Sequence, residues 1–192
     1  MQKNPFPSVN KADMDKNNQQ QATDMRQGGF TLIEVMVTVA LLAVLLASVG
    51  PSFRGLLLDN QAATQANAVV TSLLFARSEA IKRNAAVVMC QSDAGTGCDG
   101  GDWAGGWIVW ADTDGDGTVD AGEVLQTQGK LPASFALTAT GAATQFSYRP
   151  DGSVATADDF LLCPPDGVSS RARQIQVDAS GRPVVVKGGT CP

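Results

Sequence analysis

The chain has 192 residues, no histidine and a formal net charge of −5 at neutral pH. The absence of histidine removes the usual general base, the Ser-His-Asp arrangement and most zinc sites, so enzyme chemistry is not expected. The acidic balance argues against broad electrostatic capture of nucleic acid, because phosphate binding needs clustered Lys and Arg, and any such site must therefore be local.

The first 24 residues are polar, rich in Asn, Gln, Asp and Lys, and show no periodic apolar face. This composition predicts a disordered leader that is absent from the mature protein.

An apolar run follows over 30–49, twenty residues with a single charge at Glu34. A helix of that length can cross the ~30 Å hydrocarbon core of a bilayer, so the run predicts a transmembrane helix. A secretory signal peptide is the competing interpretation, but no small-residue cleavage site follows the run. A carboxylate inside such a segment costs at least ~2.5 kcal/mol, which favours a functional partner for Glu34 over a charge merely tolerated near a helix end.

The junction before this run reads Gly-Gly-Phe-Thr-Leu-Ile-Glu over 28–34. It resembles the N-terminal signature of type IV pilins and of the pseudopilins of type II secretion. The resemblance implies a leader over 1–29, cleavage between Gly29 and Phe30 by an inner-membrane prepilin peptidase, and N-methylation of Phe30. It also implies a single-pass bacterial inner-membrane anchor with the C-terminal domain in the periplasm. In an assembled filament Glu34 would pair with the Phe30 amine of a neighbouring pilin or pseudopilin subunit.

Helical patterning continues beyond the apolar run. Pro51 removes one helical hydrogen bond and is expected to kink the helix, yet apolar residues recur at intervals of three and four over 50–84. The sequence therefore predicts one helix from about residue 30 to about residue 84. Its second part, 50–84, is amphipathic and offers one apolar stripe to a globular domain over 85–192.

The pattern changes after residue 84, where the apolar period becomes two and glycine content rises. This change predicts short antiparallel strands separated by Pro-Gly turns. The predicted strands cover 86–91, 106–111, 123–127, 135–140, 145–149, 160–163, 173–178 and 183–187. Three tryptophans, Trp103, Trp107 and Trp110, are predicted to fill a core rather than to stack on a ligand.

All four cysteines lie in this domain, at Cys90, Cys98, Cys163 and Cys191. An even number of cysteines on the side away from the cytoplasm indicates disulfides, and the absence of any C-x2-C pair disfavours a zinc site. Of the three possible connectivities we favour the most local one, which joins Cys90 to Cys98 and Cys163 to Cys191.

The second half of the chain narrows the family. The residues concerned are Leu74-Phe75-Ala76-Arg77-Ser78-Glu79-Ala80-Ile81-Lys82-Arg83-Asn84, Val87-Val88-Met89-Cys90, Trp103 with Gly106-Trp107-Ile108-Val109, a Phe-Leu-Leu-Cys strand and a Ser-Gly-Arg turn. They resemble the FimT/GspH group of minor pilins and minor pseudopilins. This resemblance implies an α+β, pilin-like fold in which a long N-terminal helix packs on an antiparallel β-sandwich. It implies a structural subunit in filament assembly, initiation or tip formation, in a type IV pilus or a type II secretion pseudopilus.

An acidic loop over 112–123 matches the twelve-residue calcium loop at each ligand position. The predicted ligands are Asp112, Asp114, Asp116, the Thr118 carbonyl, Asp120 and Glu123. The flanks are predicted strands, so the loop does not belong to an EF-hand. The alternative is a plain hairpin tip rich in Asp and Gly, but the mutual repulsion of five carboxylates favours a bound Ca²⁺ slightly.

The densest basic group of the β domain comprises Arg171, Arg173, Arg182 and Lys187. Some FimT-type minor pilins are DNA receptors for natural transformation and use basic residues around a Gly-Arg-x-Arg turn. In this chain Gly181-Arg182-Pro183-Val184 keeps the first arginine and replaces the second by valine. A solvated positive face near a sheet edge is therefore preferred, and a pilus-tip DNA receptor stays as the alternative function.

Overall fold

The computed structural model describes residues 29–132 and 134–191, without the side chains of 47–52. The predicted leader therefore lies outside the described residues, apart from Gly29. The chain divides into two compact units, Met1–Gly50 and Pro51–Pro192.

One long helix, α1, runs from Leu32 to Arg83, within two residues of its predicted ends. At its start the Thr31 hydroxyl oxygen accepts a hydrogen bond from the Glu34 backbone N–H at 3.2 Å. The Thr-x-x-Glu spacing is that of a capping box. At its end Asn84 adopts a positive φ of 52°, and the Ala85 N–H donates to the Ala80 carbonyl. This left-handed residue terminates the helix in the usual way.

In the first unit, the large apolar side chains of α1 are exposed. Phe30 is 82% exposed, and the large apolar side chains that follow it as far as Leu46 are also exposed. Water does not solvate such a surface favourably. Where side chains are described, no helix is long and apolar enough to cross a membrane. The predicted transmembrane span, 30–49, includes residues 47–49, whose side chains are not described, so this span stays a prediction.

In the second unit, α1 buries one narrow stripe of mostly small side chains. The stripe consists of Ala62, Ala66, Val69, Leu73, Ala76 and Ala80, all fully buried. Their spacing of three and four residues places them on one helix face. Small side chains allow the helix backbone to approach the sheets closely, so the stripe determines where the domain packs.

Eight antiparallel strands form two four-stranded sheets. They are β1 Val87–Gln91, β2 Trp107–Ala111, β3 Val124–Gln128, β4 Ala136–Ala139, β5 Gln145–Tyr148, β6 Phe160–Cys163, β7 Arg173–Val177 and β8 Pro183–Lys187. The first sheet has the order β3-β2-β1-β5 and the second β4-β6-β7-β8. All eight predicted strands are confirmed, with each end within one residue. A short 3-10 turn, Ser169–Arg171, was not predicted.

The two sheets meet in an aromatic cluster of Trp103, Phe146 and Phe160. Phe146 lies on β5 of the first sheet and Phe160 on β6 of the second, and their rings stack with centroids 4.7 Å apart. Trp103 meets Phe160 edge to face at 4.9 Å, and its indole N–H donates to the Ala143 carbonyl. All three tryptophans are buried, as predicted.

Disulfides join Cys90 to Cys98 and Cys163 to Cys191, the predicted connectivity. The first closes the loop after β1 back onto that strand. The second attaches the C-terminal segment to β6 across 28 residues, a loop length for which a disulfide contributes about 3.6 kcal/mol by restricting the unfolded chain.

Truncation of the fully buried Phe160 to alanine is expected to destabilise the domain by about 3 to 5 kcal/mol, because the cavity would open between the two sheets. Urea unfolding of wild type and variant measures the difference. Val184→Ala is the matched control, since Val184 is 57% exposed and a surface change stays within about 0.5 kcal/mol. An equal loss in both variants would contradict the placement of the core.

Candidate functional site

The described residues of the predicted processing junction, Gly29 and Phe30, are exposed. A side chain added at Gly29 would meet none of the described residues within 4 Å. Among the described residues the Glu34 carboxylate has no hydrogen-bond or ion-pair partner; only its backbone N–H is bonded, to Thr31. The helix therefore presents one unpaired carboxylate in an uncovered apolar surface, near its N-terminal end.

Three of the four predicted basic residues come together beside α1. Lys187 lies opposite Arg173 in the pairing of β8 with β7, and the guanidinium of Arg173 donates to the Arg171 carbonyl at 2.8 Å. Arg182 is separated from them, because it precedes Pro183 at the other end of β8. The structure therefore divides the predicted group into a cluster of three and one distant residue.

The cluster is held by Asp59, a residue of α1 that sequence reasoning did not single out. Its two carboxylate oxygens accept from Arg173 at 2.8 Å and from Lys187 at 3.0 Å. Hydrogen bonds from Arg173, then from Lys187, hold the pKa of Asp59 below its usual range. Arg173 is only 6% exposed, so Asp59 supplies the counter-charge that a buried guanidinium requires. Arg171 pairs separately with Asp166.

No local pattern could have revealed these partners. Asp59 is 114 residues from Arg173 in sequence, and Asp59 looks like any polar residue of an amphipathic helix. The only available signal was that a helix packed on a sheet must bury its flanking charges in pairs.

In the acidic loop between β2 and β3, three predicted ligands converge. The carboxylates of Asp112, Asp114 and Asp116 offer oxygens that lie within 4.8 Å of one another. Asp112 also accepts hydrogen bonds from the backbone N–H groups of Gly115 and Gly117 at 2.8 and 3.2 Å. Both glycines have φ near 80°, a conformation that favours glycine. These bonds shape the loop with or without an ion.

Both carboxylate oxygens of Glu123 are already engaged by hydrogen bonds within the loop. Its side chain is buried, at 4% exposure, and one oxygen accepts from both the N–H and the hydroxyl of Thr113 at 2.7 Å. The other oxygen accepts from the Asp120 N–H at 3.1 Å. The hydrogen bond from the Thr113 hydroxyl is the main reason that the pKa of Glu123 is lowered. Glu123 thus ties the two ends of the loop together.

Asp120 experiences the repulsion of its neighbours. The negative charge of Asp116, followed by partial burial and the charge of Asp114, raises the pKa of Asp120. Thr118, the remaining predicted ligand, donates its N–H and hydroxyl to Asp116. The donor set consists of oxygen atoms only, which suits Ca²⁺. A calcium site here stays a prediction, with the self-bonded hairpin as its alternative.

The acidic loop also covers apolar surface. Residues of β1 alternate between two cores: Val87 and Met89 face α1, while Val88 and Cys90 face the other side of the first sheet. On that second side they cluster with Ile108 and Trp110, and Val119 of the loop packs against them. The conformation of the loop and the packing of this smaller core are therefore linked.

Comparison with known proteins gives two family matches. The model for type II transport protein GspH matches residues 65–181, more than half of the chain. The prokaryotic N-terminal methylation motif matches 24–50, which contains the predicted junction. No curated protein sequence matches the chain.

Two solved structures share the fold. One is the type IV minor pilin FimU of Pseudomonas aeruginosa PAO1, with 18% identity, a TM-score of 0.53, and coverage of 69% of this chain and 93% of that one. The other is the minor pseudopilin EpsH of the type 2 secretion system of Vibrio cholerae, with 15% identity, a TM-score of 0.51, and coverage of 66% and 97%. At these identities the likeness concerns the fold.

Replacing Asp59 with asparagine is expected to lower the melting temperature at pH 7, because Arg173 would stay buried without its counter-charge. The pKa of Asp59 is lowered from 3.8, so its contribution is present above that pH and is lost as the pH falls through the lowered value. The gap between wild type and variant should therefore close in acid. Asp93→Asn, the same charge change in an exposed loop, should leave the melting temperature unchanged. A gap independent of pH would contradict an electrostatic role.

Calcium is expected to raise the melting temperature of the full protein in detergent by several degrees, since saturation at 100 times the dissociation constant stabilises by about 2.7 kcal/mol. The titration should reach tens of millimolar and be matched with Mg²⁺. Asp112→Asn with Asp114→Asn should abolish the shift.

The control for this pair is Asp93→Asn with Asp102→Asn, which removes two charges from the segment between β1 and β2. It should keep the full response to Ca²⁺. Equal responses to Ca²⁺ and Mg²⁺, or a shift that survives in the loop variant, would identify a plain hairpin.

Proposed function

The chain belongs to the GspH family, described as type II transport proteins, and on that premise we propose that it is a minor subunit of a type IV pilus or of a type II secretion pseudopilus. Its role is structural and not enzymatic: it enters the filament through α1 and acts in assembly, initiation or tip formation. The observation that carries this proposal is the contrast between the two parts of α1.

The second part of α1 is covered by the domain's own sheets, whereas the described apolar side chains of the first part are exposed. A helix with such a surface is stabilised when lipid or the helices of other subunits remove it from water. The same surface therefore serves two successive states, the membrane-anchored subunit and the assembled filament. Two disulfides suit an oxidising compartment such as the periplasm.

Processing prepares the assembly contact. Cleavage after Gly29 by a prepilin peptidase creates a new amine at Phe30, which the enzyme then methylates. That amine on one subunit and the Glu34 carboxylate on the next form a charge pair in an apolar environment. The lack of a partner for Glu34 within the described part of its own subunit supports this assignment.

A DNA receptor at a pilus tip is the alternative, and the charge geometry supports it less. Arg173 and Lys187 share Asp59, and Arg171 pairs with Asp166. At Arg171, Arg173 and Lys187 a DNA phosphate would compete with an existing carboxylate. Arg182 lies apart at the other end of β8, so a continuous basic track of the kind that binds nucleic acid does not form from these four residues.

The assembly role is tested by replacing Glu34. Glu34→Ala and Glu34→Gln should leave the subunit inserted in the membrane and folded but largely absent from sheared filaments, because the partner amine loses its counter-ion. Glu79→Gln is the control on the same helix, since Glu79 pairs within its own subunit with Lys82 and Arg83.

The measurement is the ratio of filament-bound to membrane-bound subunit, together with mass spectrometry of the N-terminus. All forms that reach the filament should begin at methylated Phe30. Incorporation of Glu34→Ala at the wild-type ratio would refute the charge pair, and a mature N-terminus beyond residue 49 would refute the anchor.

A further inference from the structure

A small cleft lies in the second unit where α1 meets the segment before β7. Arg54, Gly55, Leu58, Asp166 and Arg171 line it, and its volume is about 250 Å³. Gly55 allows this close approach, because a Cβ at that position would stand 2.5 Å from a terminal nitrogen of Arg171 and the guanidinium would have to shift. The missing side chain allows the guanidinium to lie directly against the helix.

The cleft continues into the Asp59 cluster and carries an excess of positive charge. Arg173 connects the two through its hydrogen bond to the Arg171 carbonyl. Four cations, Arg54, Arg171, Arg173 and Lys187, face the two carboxylates Asp59 and Asp166, which leaves a net charge of +2. Beyond residue 29 the chain holds only ten Lys and Arg against sixteen Asp and Glu. Four of the ten basic residues are concentrated here. The net charge of the cleft is therefore positive, whereas the net charge of the chain beyond residue 29 is negative.

Arg54 is the cation most available to a ligand. It is exposed and has no hydrogen-bond or ion-pair partner among the described residues. Arg171 uses one terminal nitrogen for Asp166 and directs the other toward Gly55 at the cleft wall. Lys187 is 61% exposed at its side chain. Arg173, by contrast, is buried and positions its neighbours.

The position of the cleft along the chain points to the ligand. No Lys or Arg occurs from 27 to 53, and Arg54 follows the apolar run by five residues. Connectivity alone therefore keeps Arg54 within about 18 Å of the end of that run. The acidic loop is attached far away, because Ala111 before it pairs with Val87, four residues after α1 ends. The part of α1 from Asp59 to Arg83 is about 36 Å long. The basic cleft and the acidic loop are therefore attached far apart along the helix.

We propose that this basic cleft binds the phosphate of an anionic phospholipid headgroup and thereby docks the domain on the membrane surface before assembly. The inference rests on the proposed membrane anchor, which brings residue 54 to headgroup level. Arginine forks bind phosphate oxygens in pairs, and basic residues just beyond a membrane segment are attracted to anionic lipid. Leu58 supplies an apolar wall for the adjoining glycerol and acyl carbons.

Native mass spectrometry of the full chain, released from uncharged detergent with equal amounts of phosphatidylglycerol and phosphatidylcholine, tests the proposal. Wild type should retain phosphatidylglycerol in about fivefold preference, the order expected for one or two basic residues beside an anionic surface. Arg54→Gln with Arg171→Gln should abolish the preference. Arg149→Gln with Arg182→Gln removes the same charge elsewhere and should preserve it.

Arg54→Gln alone serves as a second variant, because Arg54 has no partner among the described residues whose loss could unfold the domain. It should lower the preference at an unchanged melting temperature. A preference that survives in both cleft variants would overturn the proposal. So would displacement of the lipid by equal concentrations of inorganic phosphate, glycerophosphoglycerol or a short DNA duplex, since the cleft would then take a soluble anion or DNA.

The outcome also separates this inference from the proposed function. Retention of both lipids without preference would leave the anchor intact and remove the headgroup site. Failure to retain either lipid in wild type would remove the anchor, and with it both proposals.

Discussion

The structure depends on where one helix can remove its apolar surface from water. Over its second part, α1 presents a stripe of small side chains, and two antiparallel sheets close over that stripe to form the main core. Over its first part the apolar side chains have no cover among the described residues. The free energy that holds the domain together and the free energy available for insertion and assembly thus come from the same physical effect, acting on different stretches of one element. The domain thus has a core of its own, while the described apolar side chains of the first part of α1 stay exposed.

The acidic residues of α1 differ between its exposed first part and its buried second part. Glu34 lies in the exposed apolar stretch and its carboxylate has no partner among the described residues, whereas Asp59, the next acidic residue of α1, is bound by Arg173 and Lys187. The first carboxylate is available to another subunit, and the second locks β7 and β8 against the helix. Four of the ten Lys and Arg residues beyond residue 29 lie beside Asp59 and Asp166. The acidic loops lie on the first sheet, where no Lys or Arg occurs between residues 84 and 129.

The acidic loop illustrates how one set of residues serves structure before it serves a ligand. Glu123 closes the loop through Thr113 and Asp120, and Val119 covers the smaller core around Trp110. In that core the indole N–H of Trp110 is buried and has no hydrogen-bond acceptor among the described residues, which is costly in an apolar site. The packing of the loop therefore outweighs the cost of this unbonded indole N–H. An ion that enters the loop must be bound by carboxylates other than that of Glu123, whose oxygens already accept hydrogen bonds.

The helix was predicted from its 3.6-residue periodicity and the strands from alternation between turn residues, and the most local of three cysteine connectivities was favoured. The Gly-Phe junction with the apolar run behind it indicated a pilin or pseudopilin, and contiguous motifs of the second half narrowed the family. These features are local, and local patterns can be recognised directly in the sequence.

Which charges meet can be seen only in the tertiary structure. Asp59 reaches Arg173 and Lys187 across more than 110 residues, and Arg171 reaches Gly55 only because that residue has no side chain. The predicted group of four basic residues was divided by the register of β8, which sets Lys187 beside the helix and Arg182 at the opposite end. Such contacts follow from packing and register, and neither leaves a periodic trace in the sequence.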